Sequence, residues 1–284
     1  MRVEKTEETG FCFGVKRSMR IVEEAVAEYG RIETLGPLVH NRRVVDGLKA
    51  KGVGVVTSPE EVSGQVVVIC SHGVPPSVAH ELTARGLKVI DSTCPNVRRA
   101  QQAARDFSKA GFGVIVFGDP DHPEVKGILG WAEGKGLAVS DGRDIAGLNG
   151  LPKRVGLISQ TTRNPGRLAE FVNRFVTDSM PRLEELRVVN TLCNVTQIRQ
   201  AEAIELARKV DLMIVVGDRS SANTRELARV CSSAGTPTHH VEGAVEIQEE
   251  WLGDRLLVGV TTGTSIPDEV TQEVMDRLER VPSK

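Results

Sequence analysis

Aromatic residues are scarce: the 284-residue sequence has one Tyr, two Trp and seven Phe, 4% in all. So few rings leave no platform on which nucleic-acid bases could stack. An excess of either charge is also missing, with 36 Lys and Arg against 38 Asp and Glu. A net charge of −2 supplies no broad field for a polyanion, so no nucleic-acid partner is expected. Long apolar runs are absent too. Stretches such as VVVIC (66–70) and LMIVV (212–216) fall far short of the ~20 residues that cross a bilayer, and no membrane segment is expected. The opening MRVEKTEETG is charged and lacks the apolar stretch of a secretion signal, which predicts a cytoplasmic chain. In that reducing compartment the five cysteines, widely and unevenly spaced, read as metal ligands, nucleophiles or core residues rather than disulfides. No C-x-x-C pair occurs, which excludes a thioredoxin-like dithiol and the compact ferredoxin spacing. Electrons for any redox chemistry must come from another molecule. No G-x-x-x-x-G-K is present, so phosphate binding of the ATPase type is not indicated.

What is present is the composition of a folded protein, 40% hydrophobic and 26% charged. Short runs rich in Val and Ile alternate with amphipathic stretches of 10 to 15 residues, the pattern of an α/β fold. Strand candidates are QVVVIC (65–70), LKVID (87–91), GVIVFG (113–118), RVGLIS (154–159), LRVVN (186–190), DLMIVVG (211–217) and RLLVGV (255–260). Their continuous apolarity suits strands covered on both faces. LKVIDSTCPNVRRAQQAA (87–104) aligns with LRVVNTLCNVTQIRQAEA (186–203), each reading strand, polar turn, cysteine, helix. VEKTEETGFCFGVKRSMRIVEEA (3–25) keeps the same order more loosely. Cys12, Cys94 and Cys193 thus mark three repeats, expected at 13–93, 94–192 and 193–284, the last completed by an N-terminal strand within 1–12. Each repeat holds two polar loops: LGPLVHN (35–41) and CSHGVPP (70–76), FGDPDHPE (117–124) and SQTTRNP (159–165), VGDRSSAN (216–223) and TTGTSIP (261–267). Ligands of parallel α/β proteins bind at such strand ends, beside helix N-termini that attract anions. A pseudo-threefold arrangement would bring these loops and the three cysteines to one centre.

Each of the three cysteines precedes a predicted helix, where the helix start stabilises negative charge on sulfur. Three converging thiolates suit an iron-sulfur cluster or a three-cysteine zinc site, with one metal position left for substrate. Cys70 ends an apolar strand and Cys231 lies within TRELARVCSSAG, so both are expected in the core. The loops add His40, His72 and His122, with Thr161, Thr162, Ser220, Ser221, Asn223 and Ser265, a set of imidazoles, hydroxyls and an amide suited to phosphate. His80, His239 and His240 lie outside these loops and are left out of the candidate site. Glu124, flanked by Pro123 and Val125, has an apolar setting that could keep a carboxyl group protonated, and it is the candidate proton donor. A bland alternative makes it the N-terminal charge of the following helix. Asp119 and Asp121 read as turn residues.

Together GFCFGVKR, GPLVHN, SHGV, DSTCPNV, HPEVKG, SQTT, C-x-x-T-x-x-RQA, SSAN and GTSIP resemble the 4-hydroxy-3-methylbut-2-enyl diphosphate reductase family, from Gly10 to about Pro267. The resemblance implies three similar α/β domains in a pseudo-threefold arrangement around a central iron-sulfur cluster. Cys12, Cys94 and Cys193 would hold one 4Fe-4S cluster per chain, whose fourth iron binds substrate. His40, His72, His122, Ser221, Asn223 and Ser265 would surround a diphosphate, with Glu124 and Thr161 beside the substrate hydroxyl. The implied reaction removes the allylic hydroxyl with two electrons and two protons, giving isopentenyl and dimethylallyl diphosphates. It also implies an external electron donor, ferredoxin or flavodoxin, and one closed ring suits a monomer. The chain departs from the family pattern at Ala222, where Ser220 is a possible replacement for a hydroxyl contact, at Phe13 beside Cys12, and at Asp119-Pro120. Protonated histidines would add positive charge, so substrate affinity is expected to weaken as pH rises. The competing readings are a non-catalytic iron-sulfur sensor or scaffold and a three-cysteine zinc hydrolase.

Overall fold

In the computed structural model, residues 1–140 and 152–280 are described; residues 141–151 of the expected second repeat and 281–284 of the third lie outside that description. Alternation of strand and helix runs the length of the chain, in the order β1 (Arg2–Lys5), α1 (Phe13–Tyr29), β2 (Ile32–Leu35), α2 (Arg42–Ala50), β3 (Val53–Val56), β4 (Val66–Ile69), α3 (Pro76–Ala84) and β5 (Lys88–Asp91). There follow α4 (Pro95–Lys109), β6 (Gly113–Phe117), α5 (Pro123–Trp131), β7 (Gly136–Val139), β8 (Arg154–Ser159), α6 (Pro165–Ser179) and β9 (Glu185–Val188). The last part holds α7 (Asn194–Ala207), β10 (Leu212–Val216), α8 (Ala222–Ser233), β11 (Thr238–Val241), β12 (Leu257–Thr262) and α9 (Asp268–Glu279).

Three parallel four-stranded sheets result, ordered β3-β2-β4-β5, β7-β6-β8-β9 and β11-β10-β12-β1. The three orders are one pattern. In the third sheet the place taken by β5 and β9 falls to β1, whose Arg2 pairs with Leu257 and Lys5 with Val260. Inner strands β4, β6 and β10 are buried at every residue, as strands with helices on both faces must be. The predicted RLLVGV strand is displaced: β12 starts at Leu257 and runs through Thr261 and Thr262, so the loop expected from 261 begins at Gly263. Both threonines are fully buried and paired in the ladder with β10, which overrides their polar character.

By contact density the chain forms two compact units, one of Met1–Lys16, Val39–Asp46 and Asn194–Lys284, the other of Arg17–Leu38 and Gly47–Cys193. The first contains the sheet closed by β1, with a core of Leu212, Ile214, Val216, Val258, Val260, Val270 and Val274. The second contains the other two sheets. Their packing depends on glycine: a Cβ on Gly130 would stand 2.4 Å from Pro75 Cβ, and one on Gly127 would stand 3.4 Å from Gly73 O. Trp131 Nε1 donates to Val74 O at 3.1 Å across the same contact. These approaches hold the loop carrying His72 against the helix that follows His122.

Candidate active site

In the second compact unit, the loops after β4, β6 and β8 and the starts of the next helices form a continuous hydrogen-bonded run. Cys193 N–H donates to Thr161 O at 2.9 Å, and Cys94 N–H donates to Ser71 O at 3.0 Å. Thr161 N–H donates to Glu124 Oε1 at 2.7 Å, and its hydroxyl donates to Oε2 at 2.9 Å. Glu124 N–H in turn donates to His122 Nδ1 at 3.1 Å, so His122 caps α5. The His122 ring meets His72 edge to face, with centroids 5.3 Å apart. Asn96 closes the run: it follows Cys94 by two residues, and its Nδ2 donates to Cys193 Sγ at 3.1 Å. Arg99, one turn further along α4, donates to Leu192 O at 2.8 Å and fixes the segment that leads into Cys193.

Glu124 lies in the first turn of α5, the place its helix-start alternative requires, and is 2% exposed, so it stands there buried rather than in solvent. Burial pushes its carboxyl above the ordinary range, partly offset by the Thr161 N–H, the Thr161 hydroxyl and the charge of Arg163. Such a carboxyl can retain its proton near neutral pH and present it through the Thr161 hydroxyl. Asp119 Oδ1 accepts the N–H of Asp121 at 3.1 Å, the turn role expected of that pair.

The first compact unit repeats the construction around Cys12. Its N–H donates to Thr264 O at 3.2 Å. Thr264, Ser71 and Thr161 each stand two residues beyond the end of β12, β4 and β8, so the three cysteines are tied to equivalent loop positions. Each cysteine directly precedes a helix, α1, α4 or α7, as the sequence predicts. All three are half-buried, and none is in a disulfide. Cys70 and Cys231 differ: both are buried in the core, and burial pushes their thiols up to about 12.

The same unit carries His40, Ser220, Ser221, Asn223 and Ser265. Ser221 caps α8, its Oγ accepting the N–H of Thr224. Asn223 is 3% exposed, and among the described residues neither its Oδ1 nor its Nδ2 has a hydrogen-bond partner. A buried amide left in that condition costs stability unless a ligand completes it. Ser265 is buried in the loop after β12. Ser220 is exposed and donates to Asp218 Oδ1, so its lone pair receives the N–H of His40 Nδ1 at 3.0 Å. Asp218 therefore orients the His40 ring through Ser220. Burial pulls the His40 imidazole below its ordinary value, Asp218 opposes that and Arg225 adds to it, so the free ring is neutral near neutral pH. Sequence reasoning missed Asn96 and Asp218; the only local signal was their position two residues from a candidate ligand.

The sequence model of the LytB protein family matches residues 3–279. A 4-hydroxy-3-methylbut-2-enyl diphosphate reductase of Dehalococcoides mccartyi strain CBDB1 is 44% identical over 99% of this chain and 99% of that protein. Among solved structures, the E-1-hydroxy-2-methyl-but-2-enyl-4-diphosphate reductase from Plasmodium falciparum superposes with a TM-score of 0.93 at 25% identity, covering 99% of this chain and 89% of that one. A second solved structure, described as (E)-4-hydroxy-3-methyl-but-2-enyl diphosphate reductase, the terminal enzyme of the non-mevalonate pathway, is 38% identical with a TM-score of 0.70 over 99% of this chain and all of that one. With the family pattern matched over nearly its whole length and three like-ordered parallel sheets, this chain belongs to the LytB protein family of 4-hydroxy-3-methylbut-2-enyl diphosphate reductases.

Proposed function

We propose that this chain reductively removes the hydroxyl of (E)-4-hydroxy-3-methylbut-2-enyl diphosphate, giving isopentenyl and dimethylallyl diphosphates, and that Cys12, Cys94 and Cys193 hold a 4Fe-4S cluster for the purpose. The observation that carries the reading is the run from Cys193 through Thr161 to the buried Glu124, which joins a candidate metal ligand to a candidate proton donor through two successive hydrogen bonds and continues to His122 by a third. The donor set fits the cluster: three half-buried thiols at helix starts, apart from two core thiols held protonated by burial. When bound, the cluster supplies electrons singly and, at an iron without a protein thiolate, Lewis acidity toward the leaving oxygen.

The protein's own groups handle the protons and the diphosphate. Hydroxide is a poor leaving group, so its oxygen must be protonated as the C–O bond breaks. The Thr161 hydroxyl donates toward that oxygen while taking the Glu124 proton at its own Oγ1. His122 has Nδ1 committed to the Glu124 N–H, which puts its ring proton on Nε2, a donor for a phosphate oxygen. Ser221, Asn223 and Ser265 add hydroxyl and amide donors, and His40 and His72 complete the set. Ser220 orients His40 and, as the hydroxyl nearest in sequence to Ala222, joins the set that faces the diphosphate. The electron donor is an external ferredoxin or flavodoxin, and the working form is a monomer in the cytoplasm. Among the described residues no helix is long and apolar enough to cross a membrane.

Anaerobic purification tests the reading. A brown protein absorbing broadly near ~400 nm, as iron-sulfide charge transfer requires, should convert the hydroxylated diphosphate into both products when given a low-potential reductant. A colourless zinc protein, or a coloured one that leaves the substrate intact, would refute it.

A further inference from the structure

Arg199, on α7, is 1% exposed, the largest fully buried side chain among the described residues. Its Nη1 donates to Thr262 O and Gly263 O, both at 3.2 Å, and its Nη2 donates to Thr9 O at 3.2 Å and Gly10 O at 2.8 Å. One guanidinium thus joins two backbone turns. The first leads into Cys12 two residues beyond Gly10; the second leads into Ser265 two residues beyond Gly263. The turns are also linked directly, Gly10 N–H donating to Thr262 Oγ1 at 3.1 Å and Cys12 N–H to Thr264 O at 3.2 Å. Gly10 has φ +74°, and a Cβ there would stand 2.0 Å from Asp268 Oδ1, so the approach of these segments is tight.

The charge is as unusual as the geometry. All four acceptors are neutral carbonyls, and among the described residues no carboxylate lies within ion-pair distance of the guanidinium. Burying a cation without such a partner is costly. A guanidinium keeps its proton throughout the ordinary pH range, so the positive charge stays in this buried position. Burial is the largest influence on Arg199 and pulls its proton affinity down, opposed by Cys12, Glu8, Glu202 and Asp268, while its bond to Gly10 O holds a positive charge on the turn two residues before Cys12. A neutral side chain could not supply that charge, and a lysine ammonium has three donors for four carbonyls.

We propose that Arg199 is a positioning residue with two separable duties: it pins the turns that present Cys12 and Ser265, and it places a buried positive charge on the turn that leads into Cys12, easing electron entry into whatever metal centre that sulfur holds. The second duty rests on the cluster reading above; the first does not. A cation beside the centre favours the form with one more electron, so its loss shifts the midpoint to more negative potential.

Two variants separate the duties. In Arg199→Gln, redox titration of the loaded protein should give a midpoint more negative than wild type. In Arg199→Lys the midpoint should stay near wild type. Amide exchange on the full metal-free chain should be faster by on the order of tenfold at residues 10–12 and 263–265 in both variants, the effect of losing one or more hydrogen bonds. An unchanged midpoint in Arg199→Gln would overturn the electrostatic duty. Wild-type exchange rates in either variant, or no protection of these amides in the wild-type chain, would overturn the clamp. If Arg199→Gln does not fold, Arg199→Lys decides: exchange equal to wild type, or a midpoint clearly more negative than wild type, counts against the proposal. A wild-type protein that takes up no cluster would refute the proposed function while leaving the exchange test of the clamp standing.

Discussion

Glu124→Gln separates the chemistry of the buried carboxyl from its structural part. The glutamine oxygen can keep the Thr161 N–H that now reaches Oε1 at 2.7 Å, and the Thr161 hydroxyl can turn to accept from the amide across the present 2.9 Å contact. Both hydrogen bonds survive, one of them reversed, so the fold should hold. The proton does not survive. Loss of a positioned general acid lowers turnover by about 10²- to 10⁴-fold, and anaerobic turnover with a chemical reductant should fall in that range while substrate still binds. Stability should change in a defined direction. From its ordinary value of 4.5 up to its raised value, the folded Glu124 binds a proton that the unfolded chain has released, so wild-type stability falls as pH rises through that window. Each unit of upward shift corresponds to about 1.36 kcal/mol. Glu124→Gln lacks this penalty, and its melting temperature should gain on wild type as pH rises above 4.5, by about 2–4 °C for each kcal/mol. Turnover within about twofold of wild type, where acid catalysis predicts at least ~10²-fold, would remove Glu124 from the mechanism. Parallel melting curves against pH would refute the raised carboxyl.

Asn223→Ala should weaken binding of the diphosphate substrate by on the order of 10- to 100-fold in calorimetry, the worth of one or two buried hydrogen bonds. Its melting temperature should stay level or rise, because the amide has no protein partner to lose among the described residues. Serine at Cys12, Cys94 or Cys193 should abolish the brown colour and reductase turnover, whereas Cys70→Ala and Cys231→Ala should keep both at some cost in stability; colour retained in any of the first three would sink the assignment. Substrate affinity should fall between pH 6 and 9. His40 spends Nδ1 on Ser220, so Nε2 donates to a phosphate only when the ring takes up a proton that burial disfavours in the free protein. A flat calorimetric profile over that range would exclude this proton uptake.

The α/β class and the equivalent settings of the three cysteines were legible because they rest on local chemistry: apolar runs too short for helices, and a cysteine at each helix start. Edge strands β3 and β7 were not. Each is four residues long, each includes a glycine, and each lies at the end of its sheet with part of its surface open, so apolar periodicity is weak. The β12 boundary was misplaced because Thr261 and Thr262 look like loop residues until their pairing with β10 is known. Glu124 could be singled out from its apolar neighbours, but its bonding to Thr161 joins residues 37 apart. Arg199 was visible only as one letter of a motif. Its four acceptors lie between 63 and 190 residues away in the chain, and nothing local announces them.

The pairing of β1 with β12 bears on the order in which the molecule is made. The strand at residues 2–5 leaves the ribosome long before its partner at 257–262. Two sheets use strands close together in the chain and can assemble while translation continues; the remaining one must wait, as contacts that close a long loop do. Cys12 belongs to the waiting sheet, through its bond to Thr264. A truncated product would therefore present two of the three thiols in a folded setting and the third on an unanchored tail. A chain that stops before β12 lacks the bond that fixes Cys12 among its loops.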